Sequence, residues 1–149
     1  MWADPAVVRH IRPTPFTEEE TWARVLRYVG HWALLGYGFW VVEEKNSGEF
    51  LGEAGFLKFH RDTEPPGVIN VPEAGWAFRA VAHGRGYASE TVAAMVAWAD
   101  STFDTPTCCI IDASNAASIR VAEKNGYRAR QLITYRGEEV MMYTRERAL

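Results

Sequence analysis

The sequence predicts an α/β fold of the α+β kind, built as one domain over residues 1–149. Three observations carry that expectation: an early amphipathic helix, two pairs of β-rich segments joined by tight turns, and a β-α-β-α alternation between them. A chain of 149 residues can bury a substantial core, and 48% apolar with 23% charged residues lies near the globular average.

Thr17-Glu18-Glu19-Glu20 has the Thr-x-x-Glu form of a capping box. Trp22, Val25, Leu26, Val29 and Trp32 then recur at the spacing of one helical face, which predicts a helix over about residues 18–34. Residues 37–60 hold two β-rich segments around Asn46-Ser47-Gly48, a good hairpin turn. Residues 61–70 are polar and contain Pro65-Pro66-Gly67; they read as an exposed loop that either borders a substrate site or merely connects strands. A strand over residues 72–81 leads into His83-Gly84-Arg85-Gly86 and a helix to about Asp100. Residues 105–113 form the next strand, followed by Asn115-Ala116-Ala117-Ser118 and a helix that closes near Asn125-Gly126. Residues 127–135 and 138–144 straddle Arg136-Gly137 as antiparallel strands.

Bulk properties exclude several classes of function. A formal charge of -3 and a pI near 5.8 offer no general attraction to nucleic acid or to an anionic membrane. No run reaches the ~18 apolar residues a spanning helix needs, and no secretory leader pattern opens the chain. His10, His31, His60 and His83 are scattered, and Cys108-Cys109 lacks the gap of a Cys-x-x-Cys pair, so no metal is expected. Adjacent strand cysteines point to opposite faces, which is poor disulfide geometry; reduced thiols suit a cytoplasmic protein.

Gly84 and Gly86 place a bare backbone against the first turn of a helix. Glycine permits unusual φ and close approach, while free N–H groups and the positive dipole end favour an anion such as a phosphate. A tight turn alone would also explain one isolated Gly-x-Gly.

Residues 72–99 followed by "NAASIRVAEKNGYR" resemble the GNAT acyltransferases, particularly the RimJ/RimL-type ribosomal-protein N-acetyltransferases. The resemblance runs from "ADPAVVRHI" to "YTRERAL". It implies a GNAT fold: a mixed, mostly antiparallel central sheet, helices on both faces, and a β-α-β unit that binds acetyl-CoA. In that pattern Gly84-x-Gly86-Tyr87-Ala88-Ser89-Glu90, with His83 at its border, matches the pyrophosphate loop, and Arg85 adds a positive charge that serves the phosphates or points to solvent. Asn115, Ser118 and Arg120 match the next cofactor-side helix. Asn115 is expected to be both a helix cap and a contact to the pantetheine arm; Ser118 either hydrogen-bonds the cofactor, donates a proton to the departing thiolate, or only permits close packing.

The implied reaction is direct attack of an amine on the thioester, with no covalent enzyme intermediate. A free alkylamine is mostly protonated at neutral pH, so a base must help to produce the nucleophile. Glu73, at the start of the strand before the loop, is the leading candidate and Glu53 its competitor, either being otherwise a solvated strand carboxylate. Backbone N–H groups around Phe78 to Ala80 would polarise the thioester carbonyl. His83 is placed beside the phosphates rather than as the base. Trp32, Tyr37, Trp40 and Trp76 either line an acceptor pocket or, as large aromatics more often do, belong to the core.

Two departures from the family pattern stand out. Many GNAT enzymes carry an acid tyrosine four residues before the glycine of Asn125-Gly126, where this chain has Ala122, as the RimJ/RimL branch does. Only Met1-Trp2 precede the segment that follows the family's first strand, so either one edge strand is missing, and a second copy or another segment would cover the strand near residues 39–43, or these 149 residues are a shortened product of a longer gene. The expected acceptor is a small-molecule or peptide amine. The readings in competition are an inactive acyl-CoA-binding module and, more remotely, a nucleotide-binding protein, for which Ser89 breaks the Gly-x-Gly-x-x-Gly fingerprint.

Overall fold

The computed structural model describes residues 1–148. One seven-stranded sheet organises the chain, in the order β1-β2-β4-β5-β7-β6-β3. Its strands are β1 (Phe39–Glu43), β2 (Phe50–Leu57), β3 (Thr63–Glu64), β4 (Glu73–Phe78), β5 (Thr107–Ile111), β6 (Arg128–Tyr135) and β7 (Glu138–Arg145). Every neighbouring pair is antiparallel except β4 and β5, which run parallel. The helices are α1 (Pro5–Val8), α2 (Glu18–Leu35), α3 (Tyr87–Thr102) and α4 (Ala116–Lys124).

Local chemistry sets most of these boundaries. Thr17 and Glu20 form the expected reciprocal capping box, and α2 stops at Gly36 in the left-handed region. Arg136 and Gly137, at φ of 56° and 81°, turn β6 into β7 as a tight hairpin requires. The strand expected over residues 72–81 ends at Phe78; a 3-10 turn, Ala80–Ala82, follows it.

α3 and α4 cover one face of the sheet. Val92, Met95, Val96 and Ala99 repeat along α3 and meet Ala54, Phe56, Ala74, Cys109 and Ile111 from the strands. Tyr37, Trp40 and Trp76 pack against this core, and Trp40 meets Trp98 edge-on at 4.9 Å between ring centroids. Trp32 meets Trp40 in the same manner. Tyr37, Trp40 and Trp76 thus belong to the margin of the core, as their size favours, whereas Trp32 stays 37% exposed on α2.

α1 and α2 occupy the opposite face. Trp2 and Val8 are buried against Ala77 of β4, the Arg24 guanidinium lies 3.7 Å from the Trp2 ring centroid, and Tyr28 stacks on Phe39 of β1. α2 thereby turns a polar stripe inward. Its apolar stripe points outward, with Trp22 60% and Val29 62% exposed, because Arg24 and Tyr28 are tied to Glu53 beneath them. β1 is an edge strand, hydrogen-bonded only to β2 among the described residues. No helix of the described residues is long and apolar enough to cross a membrane.

The loop over residues 61–70 is less exposed than its composition predicts. Thr63 is buried, β3 pairs with the end of β6, and Val68 and Ile69 pack on Cys108, Ile133 and Met142. Polar composition fails here because Arg61 is drawn inward by a carboxylate partner, Glu73.

Asp100 at the end of α3 accepts two hydrogen bonds from Arg145 on β7, at 2.6 and 2.7 Å. Those bonds hold the Asp100 carboxyl below its ordinary value of 3.8, against the opposing cost of burial. A depressed folded-state value means the stabilisation is complete above pH 3.8 and is lost as pH falls through the lower folded value. Asp100→Asn is expected to lower the unfolding free energy at pH 7 by about 1.5–3 kcal/mol. Urea titrations at pH 7 and near pH 2 check this, since the gap to wild type must shrink in acid.

Candidate active site

The centre of the site is a gap in the sheet. β4 and β5 share one register pair, Glu73 and Cys108, fixed by the Cys108 N–H donating to the Pro72 carbonyl at 3.1 Å. Beyond it the strands part, and residues 74–78 face residues 109–111 without pairing. The register with β2 shows which backbone groups this releases. The Arg79 N–H donates to the Leu51 carbonyl, so Arg79, Ala77, Gly75 and Glu73 spend their backbone groups on β2. Ala74, Trp76 and Phe78 therefore aim theirs towards β5. The Ala74 N–H completes the Glu73–Cys108 bridge and the Phe78 carbonyl is taken by His83. This leaves the Ala74 carbonyl, both groups of Trp76 and the Phe78 N–H facing the gap, where an extended ligand can pair with them as an added strand would.

Both strands deliver their following helices to the open end of the gap. After β4, Gly84 and Gly86 take φ of 72° and 86°, and nothing lies within 4 Å of a Cβ built on either. Their conformation, not crowding, demands glycine. Gly86 caps α3 without a side chain, and the N–H groups of Tyr87, Ala88 and Ser89 find no acceptor in the first turn. The concave run of unpaired N–H groups over residues 84–89 suits a phosphate. The Arg85 guanidinium sits 5.0 Å from the Tyr87 ring centroid, beside this run. His83 is exposed, and its Nε2 lies 3.0 Å from the Phe78 carbonyl, a hydrogen bond that ties the loop to the end of β4. Phe78 itself is buried against Tyr87 and Ala88, and Ala80 opens the 3-10 turn.

After β5, the Asn115 side chain accepts from the Ser118 N–H at 3.1 Å and caps α4. The Ser118 hydroxyl makes no hydrogen bond among the described residues, so it is free for a ligand. Arg120, two residues further on, is exposed. Ala122 is fully buried under the core, and Tyr127 is enclosed with its hydroxyl 2.9 Å from Thr107; burial pushes that phenol well above its ordinary range. Cys108 and Cys109 are unpaired and buried, and burial pushes the Cys108 thiol up to about 12.

Glu73 departs from its expected setting. It lies at the closed end of the gap, 3% exposed, and Arg61 donates to both its oxygens at 2.6 and 2.7 Å. Glu53 faces α2, where it accepts from the Tyr28 hydroxyl and stands 3.5 Å from Arg24. Neither carboxylate is open to a substrate amine in this arrangement. His10, which the sequence reading weighed only as a metal ligand, comes from the segment after α1 and lies 3.1 Å from Ser114 in the loop after β5. No local motif marks it, because its partner stands 104 residues away.

An enclosed guanidinium needs its partner. Glu73→Gln is expected to lower the unfolding free energy by roughly 3–5 kcal/mol, since it strands Arg61. Chemical denaturation followed by tryptophan fluorescence measures it, and an unchanged midpoint would return Glu73 to the role of a free carboxylate.

Comparison with known proteins agrees with this architecture. Residues 1–128 match the acetyltransferase (GNAT) domain family. A Bacillus subtilis (strain 168) protein, YkkB, is 33% identical over 117 residues, covering 74% of this chain; the chain spans 63% of YkkB's length. A structure assigned to the GnaT family of acetyltransferases from Bordetella pertussis superposes with a TM-score of 0.79 at 34% identity, over 87% of this chain and 78% of that one. A GNAT phosphinothricin acetyltransferase from Sinorhizobium meliloti, solved in complex with AcCoA, superposes with a TM-score of 0.67 at 18% identity, over 89% of this chain and 71% of that one.

Proposed function

Since the chain belongs to the GNAT acetyltransferase family, we propose that it transfers the acetyl group of acetyl-CoA to a primary amine, as a single cytoplasmic acetyltransferase domain without a metal. The observation that carries this reading is the gap between β4 and β5, opening onto two helix N-termini. A pantetheine arm carries amides with the spacing and polarity to pair with the groups left free there, the Ala74 carbonyl, the backbone of Trp76 and the Phe78 N–H. The pyrophosphate then falls on the N–H groups of residues 84–89, with Arg85 and Ser89 beside it.

The acetyl carbonyl lies against β4 near Phe78, where a free N–H stabilises the oxyanion of the tetrahedral intermediate. Asn115 and Ser118 border the thioester from the α4 side, with Arg120 further out, and the Ser118 hydroxyl is available to the departing sulfur. The amine approaches from the face opposite α3 and α4, beneath the N-terminal segment. A peptide N-terminus and a small-molecule amine both meet these requirements. Ala122 in place of a helix tyrosine supports the RimJ/RimL-like branch, in which no phenol is available as acid. Glu73 serves this reading by holding Arg61 at the closed end of the gap.

Calorimetric titration with acetyl-CoA, against ATP and NADP as controls, tests the reading: selective binding of acetyl-CoA is expected. Gly86→Val forces a β-branched residue to φ of 86° and is expected to weaken acetyl-CoA binding at least ~10-fold while the chain stays folded. Unchanged affinity in that folded variant would remove the loop from the site.

A further inference from the structure

A chain of three polar side chains crosses the mouth of the gap. Asp112 directly follows β5, and its Oδ1 accepts from the Ser114 N–H at 2.7 Å and from the Ser114 hydroxyl at 2.5 Å. Ser114 Oγ in turn lies 3.1 Å from His10 Nδ1. His10 is held in place by its own segment: Val8, two residues earlier, is buried with Trp2 against Ala77 of β4. The segment therefore reaches from β4 to the loop after β5, over the place where the strands part and opposite the helices that flank the cofactor groove.

The order of protons along this chain follows from its chemistry. The Ser114 hydrogen bonds, with a smaller contribution from His10, hold the Asp112 carboxyl below the ordinary aspartate range. At neutral pH it is a carboxylate with no proton to give. Ser114 must donate to Asp112, so its oxygen accepts from His10, and the single hydrogen of the neutral imidazole resides on Nδ1. Nε2 keeps its lone pair and has no hydrogen-bond partner among the described residues. Asp112 is close enough to be influenced by the ring's charge; of the other charged side chains on the segment, Arg9 is its neighbour in the chain and Arg12 pairs with Glu20 at 2.7 Å.

We propose that His10 is the general base of the reaction, accepting the amine proton at Nε2, with Ser114 and Asp112 as positioning residues that set its tautomer. This rests on the acetyl-transfer reading above. An alkylammonium gives one proton to Nε2. The neutral nitrogen attacks the thioester carbonyl carbon, the C–N bond forms, and the C–S bond breaks with its electron pair leaving on sulfur. The thiolate takes the second nitrogen proton, and the imidazolium returns the first to solvent. Asp112, through Ser114, stabilises the positive ring while it holds the proton.

Two measurements on the whole chain test the proposal. Nitrogen-15 spectra of the His10 ring, recorded in alkaline buffer with the ring neutral, need no acceptor. They are expected to show Nδ1 protonated and Nε2 bare, the reverse of the form that dominates in free histidine, and to lose that bias in Asp112→Asn and Ser114→Ala. A protonated Nε2 in the wild type would overturn the proposal. The second measurement is CoA release with the fastest acceptor among peptides with N-terminal alanine or serine, spermidine and phosphinothricin. His10→Gln is expected to lower kcat by roughly 10²-fold or more and to change the pH dependence of kcat, with the KM for acetyl-CoA unchanged. An unaltered pH profile in that variant overturns the base assignment while acetyl transfer stands. A folded wild type that binds no acetyl-CoA overturns both.

Discussion

The parting of β4 from β5 is the constraint on which the rest of the molecule depends. Two parallel neighbours that meet only at Glu73 and Cys108 leave both backbone groups of Trp76, the Ala74 carbonyl and the Phe78 N–H without strand partners inside a sheet. Buried amides are costly when unpaired, so such a gap persists only if its flanks are held apart and its groups are given to a ligand or water. The flanks are held on three sides. Arg61 clamps Glu73 at the closed end, α3 and α4 pack on one face, and Trp2 with Val8 covers Ala77 on the other.

The parallel direction of this one pair has a second consequence. Both strands end on the same side of the sheet, so both deliver a helix N-terminus there, and the dipoles of α3 and α4 converge on one opening. A chain with net charge -3 thus keeps one local stretch of unpaired backbone N–H groups, with the Arg85 guanidinium beside it, that suits an anion. Positive φ at Gly84 and Gly86 shapes that backbone. The carboxylates follow an opposite logic. Glu73 and Glu53 are each bound to an arginine, which makes them parts of the scaffold, whereas the acid that stands at the mouth, Asp112, is bound to a serine and through it to a histidine.

Much of the fold was legible because its signals are local. The capping box at Thr17 and Glu20, the turn at Arg136-Gly137, and the close of α4 at Asn125-Gly126 each lie within a few residues, and the elements they bound form where they were expected. The glycine loop was legible for the same reason. Legibility failed where burial was decided by a distant partner. Composition placed residues 61–70 in solvent, but Glu73 pulls Arg61 inward and Thr63 follows. Periodicity identified α2 but not the side it presents: its apolar stripe lies outward because Arg24 and Tyr28 bond Glu53 and pack on Trp2 and Phe39.

The sequence by itself determined the elements, their order and the glycine loop, since helix caps, turn residues and hydrophobic period act over fewer than about ten residues. It also carried the family resemblance, which rests on the same local motifs. Only the tertiary structure decided which titratable groups are free and which are spent. Glu73 stood alone in the sequence and is clamped by Arg61 in the fold; His10 was one of four scattered histidines and is brought to Ser114 across 104 residues. The physical reason is that hydrogen bonding and burial depend on distance in space, and the packing of α1 on β4 fixes that distance for His10 without leaving a mark in the residues beside it.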